Sequence, residues 1–324
     1  MKEIFKEKLS RRNFLGAATM LTTASVVPFI LSCGNTKTAS KANIIPNSKF
    51  AGVQIGAITY SFRDLKGGVE AVLTACVEAG LSSVELMGTG VEVYLGAPRK
   101  PAGTDKGEAG QYTRALNEWR RAPGTLDKYA RLRKQFNDAG VQIHIYKWTA
   151  GNGEDELDYS FKAAKALGAI GISAELNERN ARIMGPVAAS NGMFAILHNH
   201  YQYAEPGFDV DKLLAYSPAN RLNFDVGHYF GSTGLNPADF IRRYHDSIVS
   251  LHLKDKTAAD NMTQKNANQV WGQGETPLAE VLHLIRDEKW PIFCDIELEY
   301  KVAPWSTSVK EVKKCMEYSR QILI

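Results

Sequence analysis

Cysteine is scarce in this chain, and so is any surplus of charge. Four cysteines are spread over 324 residues. The three that follow Cys33 are an odd number, so a fully paired disulfide framework is excluded. Cys76 and Cys315 fall on the first and last helical patterns, which become neighbours if the fold closes on itself; a bond between them stays open beside the reading of all three as buried free thiols. The formal net charge is +4, and residues 1–32, with five Lys or Arg and two Asp or Glu, carry +3 of it. A body left near +1 lacks the basic groove that nucleic acid requires, so no nucleic-acid partner is expected. Also absent is a Gly-rich phosphate loop: the first apolar run leads into "TYSFRDLKGG", which is not G-x-G-x-x-G and argues against a doubly wound dinucleotide-binding sheet.

The first 33 residues read as an export signal, with a basic start, an uncharged stretch rich in Ala, Thr, Leu and Val, and a cysteine after a small residue. Ser10-Arg11-Arg12-Asn13-Phe14-Leu15 resembles a twin-arginine signal. Ile30-Leu31-Ser32-Cys33 resembles a lipobox, with Leu at a position where that motif prefers other residues. The expectation is an exported, periplasmic protein whose membrane contact is a lipid on Cys33. A short membrane anchor is the alternative, but the apolar part is under about 18 residues. Residues 34–49 are polar and aperiodic and read as a flexible tether, leaving 50–324 as one folded domain.

In that domain eight short apolar runs alternate with amphipathic stretches. The runs are "VQIGAITYSF", "SSVELMG", "VQIHIYKW", "AIGISAEL", "MFAILHNH", "RLNFDVGHYF", "IVSLHLKD" and "PIFCDIELEY". Between them "GVEAVLTACVEAG", "TLDKYARLRKQFNDAG", "DYSFKAAKALG" and "LAEVLHLIRDE" place apolar residues three and four apart, as does the closing "SVKEVKKCMEYSRQIL". Gly80, Gly140 and Gly168 stand where left-handed helix ends are expected. Strand then helix, eight times over roughly 250 residues, predicts a single-domain (β/α)₈ TIM barrel. The long connections 88–124 and 256–276 both follow strand C-termini, the end at which barrels place their active sites, and the first contains "LNEWRRAPG", which reads as a short helix.

Ionisable residues gather at those same ends: Glu175 on strand four, His198 and His200 on five, Asp225 and His228 on six, His252 and Lys254 on seven, Glu297 and Glu299 on eight. Residues two apart on a strand share a face. His198, Asp225, His252 and Glu297 can therefore converge from adjacent strands. Two imidazoles and two carboxylates suit Mn²⁺, Zn²⁺, Co²⁺ or Fe²⁺ better than the all-oxygen ions Ca²⁺ and Mg²⁺.

With "VELMG", "LHNH", "NFDVGH", "SLHLKDK", "WGQGET" and "DIELEY" in this order, the chain resembles the xylose-isomerase-like barrel family, which includes sugar isomerases and tagatose-type epimerases. The resemblance implies a metal held by Glu, Asp, His and Glu, of which Asp225, His252 and Glu297 take the last three places. His198 stands where the family has its first Glu, and His200 where it has a substrate-contacting histidine. With histidine at that first place Glu297 remains as the base, and His200, His228, Glu175 or Lys147 supplies the acid; Lys254 and Lys147 are read as substrate-binding cations and Trp271 as one of the aromatics on which a sugar could stack.

The activity expected first is therefore a metal-dependent sugar isomerase or epimerase that removes a proton next to a carbonyl. A lyase or hydratase acting on 3-keto-glycosides shares that opening step and is favoured by export, because sugar phosphates are scarce outside the cytoplasm. A non-catalytic carbohydrate-binding lipoprotein is the third reading. The small-molecule partner is a carbohydrate in each case, and association of the chain with a second copy stays open.

Overall fold

Eight parallel strands form the centre of the structure, a computed structural model that describes residues 45–102, 106–148 and 154–324. They are β1 (Val53–Ile58), β2 (Ser83–Met87), β3 (Gln142–Lys147), β4 (Gly171–Glu175), β5 (Phe194–His198), β6 (Asn220–Asp225), β7 (Ile248–Leu253) and β8 (Phe293–Ile296). Each pairs with the next, and β8 pairs with β1, so the sheet closes into a barrel. Closure removes every sheet edge, and with helices outside each strand is covered on both faces. That is why the strands read as nearly continuous apolar runs and not as an alternation. The fold is the expected (β/α)₈ barrel, and the described residues form one compact unit.

The outer helices bury one stripe each. In Ser308–Leu323, capped by Thr307, the residues Val312, Cys315, Met316, Ser319 and Leu323 face inward at three- and four-residue intervals. Gly80, Gly140 and Gly168 have φ of 81°, 78° and 84°, the left-handed turn in which a side chain is strained. Cys76, Cys294 and Cys315 are buried and free. Burial pushes the Cys76 thiol up to about 12, which makes it inert packing material.

Two segments differ from expectation. The export signal of residues 1–33, its Cys33 and the tether up to residue 44 lie outside the described residues, but the end of the tether segment is part of the barrel. Ser48 is buried, donates to the Ile55 carbonyl (2.6 Å) and accepts from the Ser82 backbone N–H (2.9 Å), and Lys49–Phe50 pair antiparallel with β1. These contacts lie at the N-terminal end of β1, opposite the polar rim. The connection 88–124 holds a helix of 16 residues, Lys106–Arg121, longer than the short one "LNEWRRAPG" suggests. Arg120 ties it down through both carboxylate oxygens of Glu92 (2.8 Å each) and through Glu156 (2.9 Å).

Candidate active site

The parallel register sets neighbouring rim residues side by side. Asp225 pairs with His252 between β6 and β7, and Glu175 pairs with His198 between β4 and β5. Asp225 caps the helix Val226–Thr233 through Oδ1, which accepts from the His228 N–H (2.7 Å). Its position is thus fixed from both the strand and the helix side. One donor atom from each of His198, Asp225, His252 and Glu297 lies within 4.8 Å of all the others, and all four residues are buried.

This donor set fits a divalent metal. Burial, with the nearby charges of Lys147 and His252, holds His198 well below the ordinary histidine value, so its imidazole is neutral, and its buried Nδ1 has no hydrogen-bond partner. A neutral imidazole with an unused lone pair is what coordination requires. His252 is arranged differently. Burial alone would depress it, but Glu297 and Glu85 push it up to about 10. Its Nδ1 is 2.9 Å from Glu297 Oε2 and its Nε2 is 2.7 Å from Glu85 Oε2. If Nδ1 ligates, Nε2–H remains on a carboxylate, which fixes the tautomer and the ring orientation.

Glu85 is missing from the sequence-derived site, although it lies inside the "VELMG" run. It is fully buried on β2, accepts from Ser173 Oγ (2.5 Å) and Asn223 Nδ2 (2.8 Å), and is held ionised by His252 at about 2 despite the opposing effect of burial. Beneath it Asp295 accepts from Ser250 Oγ (2.9 Å) and pairs with His144 Nε2 (2.8 Å), whose Nδ1 meets Ser83 Oγ (2.8 Å). Gly56 faces this carboxylate, where a Cβ would lie 2.2 Å from Asp295 Oδ1.

The other predicted residues fall into two groups beside the donor set. On one side His200 Nδ1 is 2.8 Å from Glu175 Oε2, and Lys147 Nζ is 3.6 Å from Oε1. The Glu175 contact raises His200 above the ordinary value against the effect of burial. On the other side Lys254 Nζ reaches Asp225 Oδ2 (2.9 Å), Glu297 Oε2 (2.8 Å) and Glu299 Oε2 (2.7 Å). Burial would raise Glu297, but Lys254 and His252 hold it well below its ordinary value. His228 is buried, lies 3.6 Å from Glu299, and has no hydrogen bond at either ring nitrogen. Burial and Lys254 lower it to about 2.

Trp271 is not gathered into this site. It is 8% exposed and packs edge-on against Tyr318 of the last helix. Asp255 acts locally, accepting backbone N–H groups of Gly272, Gly274 and Thr276 and so folding the connection 256–276.

A closed parallel barrel with a buried His, Asp, His and Glu set at its C-terminal rim defines a class of protein, and comparison narrows it. Residues 174–321, which contain all four donors, match the model of the xylose isomerase-like TIM barrel family; the fold of this chain is that barrel. A segment of 75 residues is 35% identical to inosose dehydratase of Clostridium botulinum (strain Alaska E43 / Type E3), covering 22% of this chain and 25% of that relative. Among solved structures the chain is similar to a probable 3-DHS dehydratase from Bacillus anthracis (TM-score 0.58, 14% identity, 82% of this chain and 98% of that one). It is also similar to D-psicose 3-epimerase from Clostridium cellulolyticum H10 (TM-score 0.57, 11% identity, 84% and 99%). At such identities these two structures establish a shared fold.

Proposed function

We propose that this protein is a divalent-metal-dependent enzyme that removes a proton next to the carbonyl of a sugar or keto-sugar and uses that step to eliminate, or add, an oxygen substituent. The observation that carries the reading is the asymmetry of the rim. One side presents neutral His198 where a carboxylate pair would need its first member, and next to it stands His200 backed by Glu175 at 2.8 Å. Glu297 remains a carboxylate, but it is itself one of the four donors, and a bound cation, like the Lys254 ammonium 2.8 Å away, would draw off the charge a base needs. The site therefore holds one imidazole–carboxylate pair suited to moving protons, not two equivalent bases.

His198, Asp225, His252 and Glu297 would hold the metal, which when bound would stabilise negative charge developing on the carbonyl oxygen. His200 takes the proton from the carbon beside the carbonyl. Glu175 accepts from His200 Nδ1, keeps the ring in one orientation and stabilises the imidazolium. The C–H electron pair becomes the new C=C bond as the C–O bond two carbons from the carbonyl breaks, and the departing oxygen takes the proton that His200 had accepted. Lys147 and Lys254 place positive charge on either side of the substrate oxygens. The 75-residue segment that is 35% identical to an inosose dehydratase supports this reading.

Isomerisation is the second reading. It shares the first step, and His200 just after β5 with Glu297 just after β8 could return the proton to a neighbouring carbon. Proton NMR in D₂O with Mn²⁺ separates the two, with free ketoses and a 3-keto-glucoside offered in parallel. Release of the aglycone or hydration of an unsaturated keto-sugar is the expected result. Deuterium in an intact sugar, with a new epimer or aldose, would establish isomerisation instead.

A further inference from the structure

We infer that Lys254 is a built-in competitor for the divalent cation: its ammonium neutralises the ligand carboxylates when no ion is bound and passes to Glu299 when one arrives. The inference rests on the metal reading above and concerns how firmly the ion is held.

Lys254 is no incidental surface contact. Its side chain is 2% exposed, and its Nζ lies 2.9 Å from Asp225 Oδ2 and 2.8 Å from Glu297 Oε2. Both residues belong to the donor set. A transition-metal ion bonds carboxylate oxygen at about 2.0–2.2 Å. An ion on either of these oxygens would thus stand within roughly 5 Å of the ammonium where it now lies. Like charges that close, inside a buried site, oppose each other strongly. The third partner, Glu299 Oε2 at 2.7 Å, is outside the donor set and can keep the ammonium when the other two oxygens turn to the ion.

The backbone is shaped for this side chain. A Cβ on Gly227 would lie 2.2 Å from Lys254 Cγ and 2.7 Å from its carbonyl oxygen, so the glycine in "NFDVGH" leaves the passage the lysine uses. A lysine needed only for charge at the rim would not require that clearance.

The test is the affinity of the full chain for Mn²⁺ alone, measured by calorimetry and by the electron paramagnetic resonance of free Mn²⁺. Lys254→Met is expected to lower Kd about tenfold or more, while Lys254→Arg, which keeps the charge, stays near the wild-type value. Glu299→Gln should raise Kd in the wild-type background and change it little in the Lys254→Met background, the non-additivity expected of a coupled pair. If removal of the charge leaves unpaired carboxylates that unfold the single variant, the Lys254→Met, Glu299→Gln double variant supplies the measurement. Wild-type protein that binds Mn²⁺ no more weakly than Lys254→Met overturns the role of Lys254 and leaves the metal site standing. Failure of every variant and the wild type to take up Mn²⁺ overturns both.

Discussion

Glu85→Gln is the substitution that tests whether the proposed metal site is built from below. Glu85 touches no proposed substrate group. It acts through His252, whose Nε2 it holds at 2.7 Å, and it is itself held by Ser173 and Asn223. Glutamine keeps the shape and can still accept from His252 or Ser173, but it removes one of the two carboxylates that confine the ring. Loss of such an outer partner typically weakens metal binding about 10–100-fold, which is about 1.4–2.7 kcal/mol. The chelated protein should also lose stability. Removing one member of a buried ion pair costs about 3–5 kcal/mol, and the hydrogen bonds that glutamine retains bring this to about 2–3 kcal/mol, or a Tm lower by about 3–5 °C for a barrel of this size. Mn²⁺ titration and thermal unfolding in chelator, run on the same preparations, read the two effects separately. A variant that melts early yet binds Mn²⁺ with wild-type affinity would refute the reasoning, because Glu85 would then support the barrel and not the ligand.

Glu175→Gln should lower kcat about 100-fold with Mn²⁺ affinity unchanged, since Glu175 touches His200 and Lys147 but none of the four donors; a parallel loss of metal would place it in the wrong role. Glu311 anchors the segment after β8 that carries Glu299. It accepts from Tyr300 (2.9 Å), Ser306 and Lys314 (2.6 Å), and these partners hold it below its ordinary value of 4.5 against the effect of burial. A carboxyl depressed in the folded state stabilises fully above its unfolded value and loses that contribution as pH falls through the folded one. Glu311→Gln should therefore melt lower than wild type at pH 7, by about 1–3 kcal/mol, and the gap should close on acidification below 4.5. A gap that stays constant down to pH 3 would show that charge is not involved.

The eight strands were legible because each is an apolar run long enough for one barrel strand and too short for a helix of the outer layer. The four donors were legible because period two puts them on one face at the ends of successive strands. Glu85 was not, because a single Glu within "SVELM" looks like a strand end, and its partner His252 is 167 residues away. A signal for the lower layer does exist. Ser173 precedes Glu175 by two, Asn223 precedes Asp225, Ser250 precedes His252 and Asp295 precedes Glu297, so on four strands a second polar residue lies directly beneath the rim. Trp271 could not be placed by such a rule, since it lies on a connection and its burial is decided by Tyr318 of a distant helix. Ser48 was read as tether for the same reason, its partner Ser82 being 34 residues away.

That second polar layer bears on how the site functions. Four carboxylates, Glu85, Asp225, Glu297 and Glu299, meet two cationic side chains, His252 and Lys254, within the β2, β6, β7 and β8 side of the rim. Buried carboxylates left without partners would cost several kcal/mol each. Here every one has a hydrogen-bond donor or a cation beside it. The proton on His252 and the ammonium of Lys254 thus hold the arrangement in a shape that a divalent cation can enter by replacing them. The opposite side, with neutral His198 and the His200–Glu175 pair, has no such surplus of acid groups. Acid groups that could hold an ion are concentrated on one half of the rim and the His200–Glu175 pair stands on the other, the division that the proposed reaction would require of a metal at the carbonyl and a separate imidazole beside it.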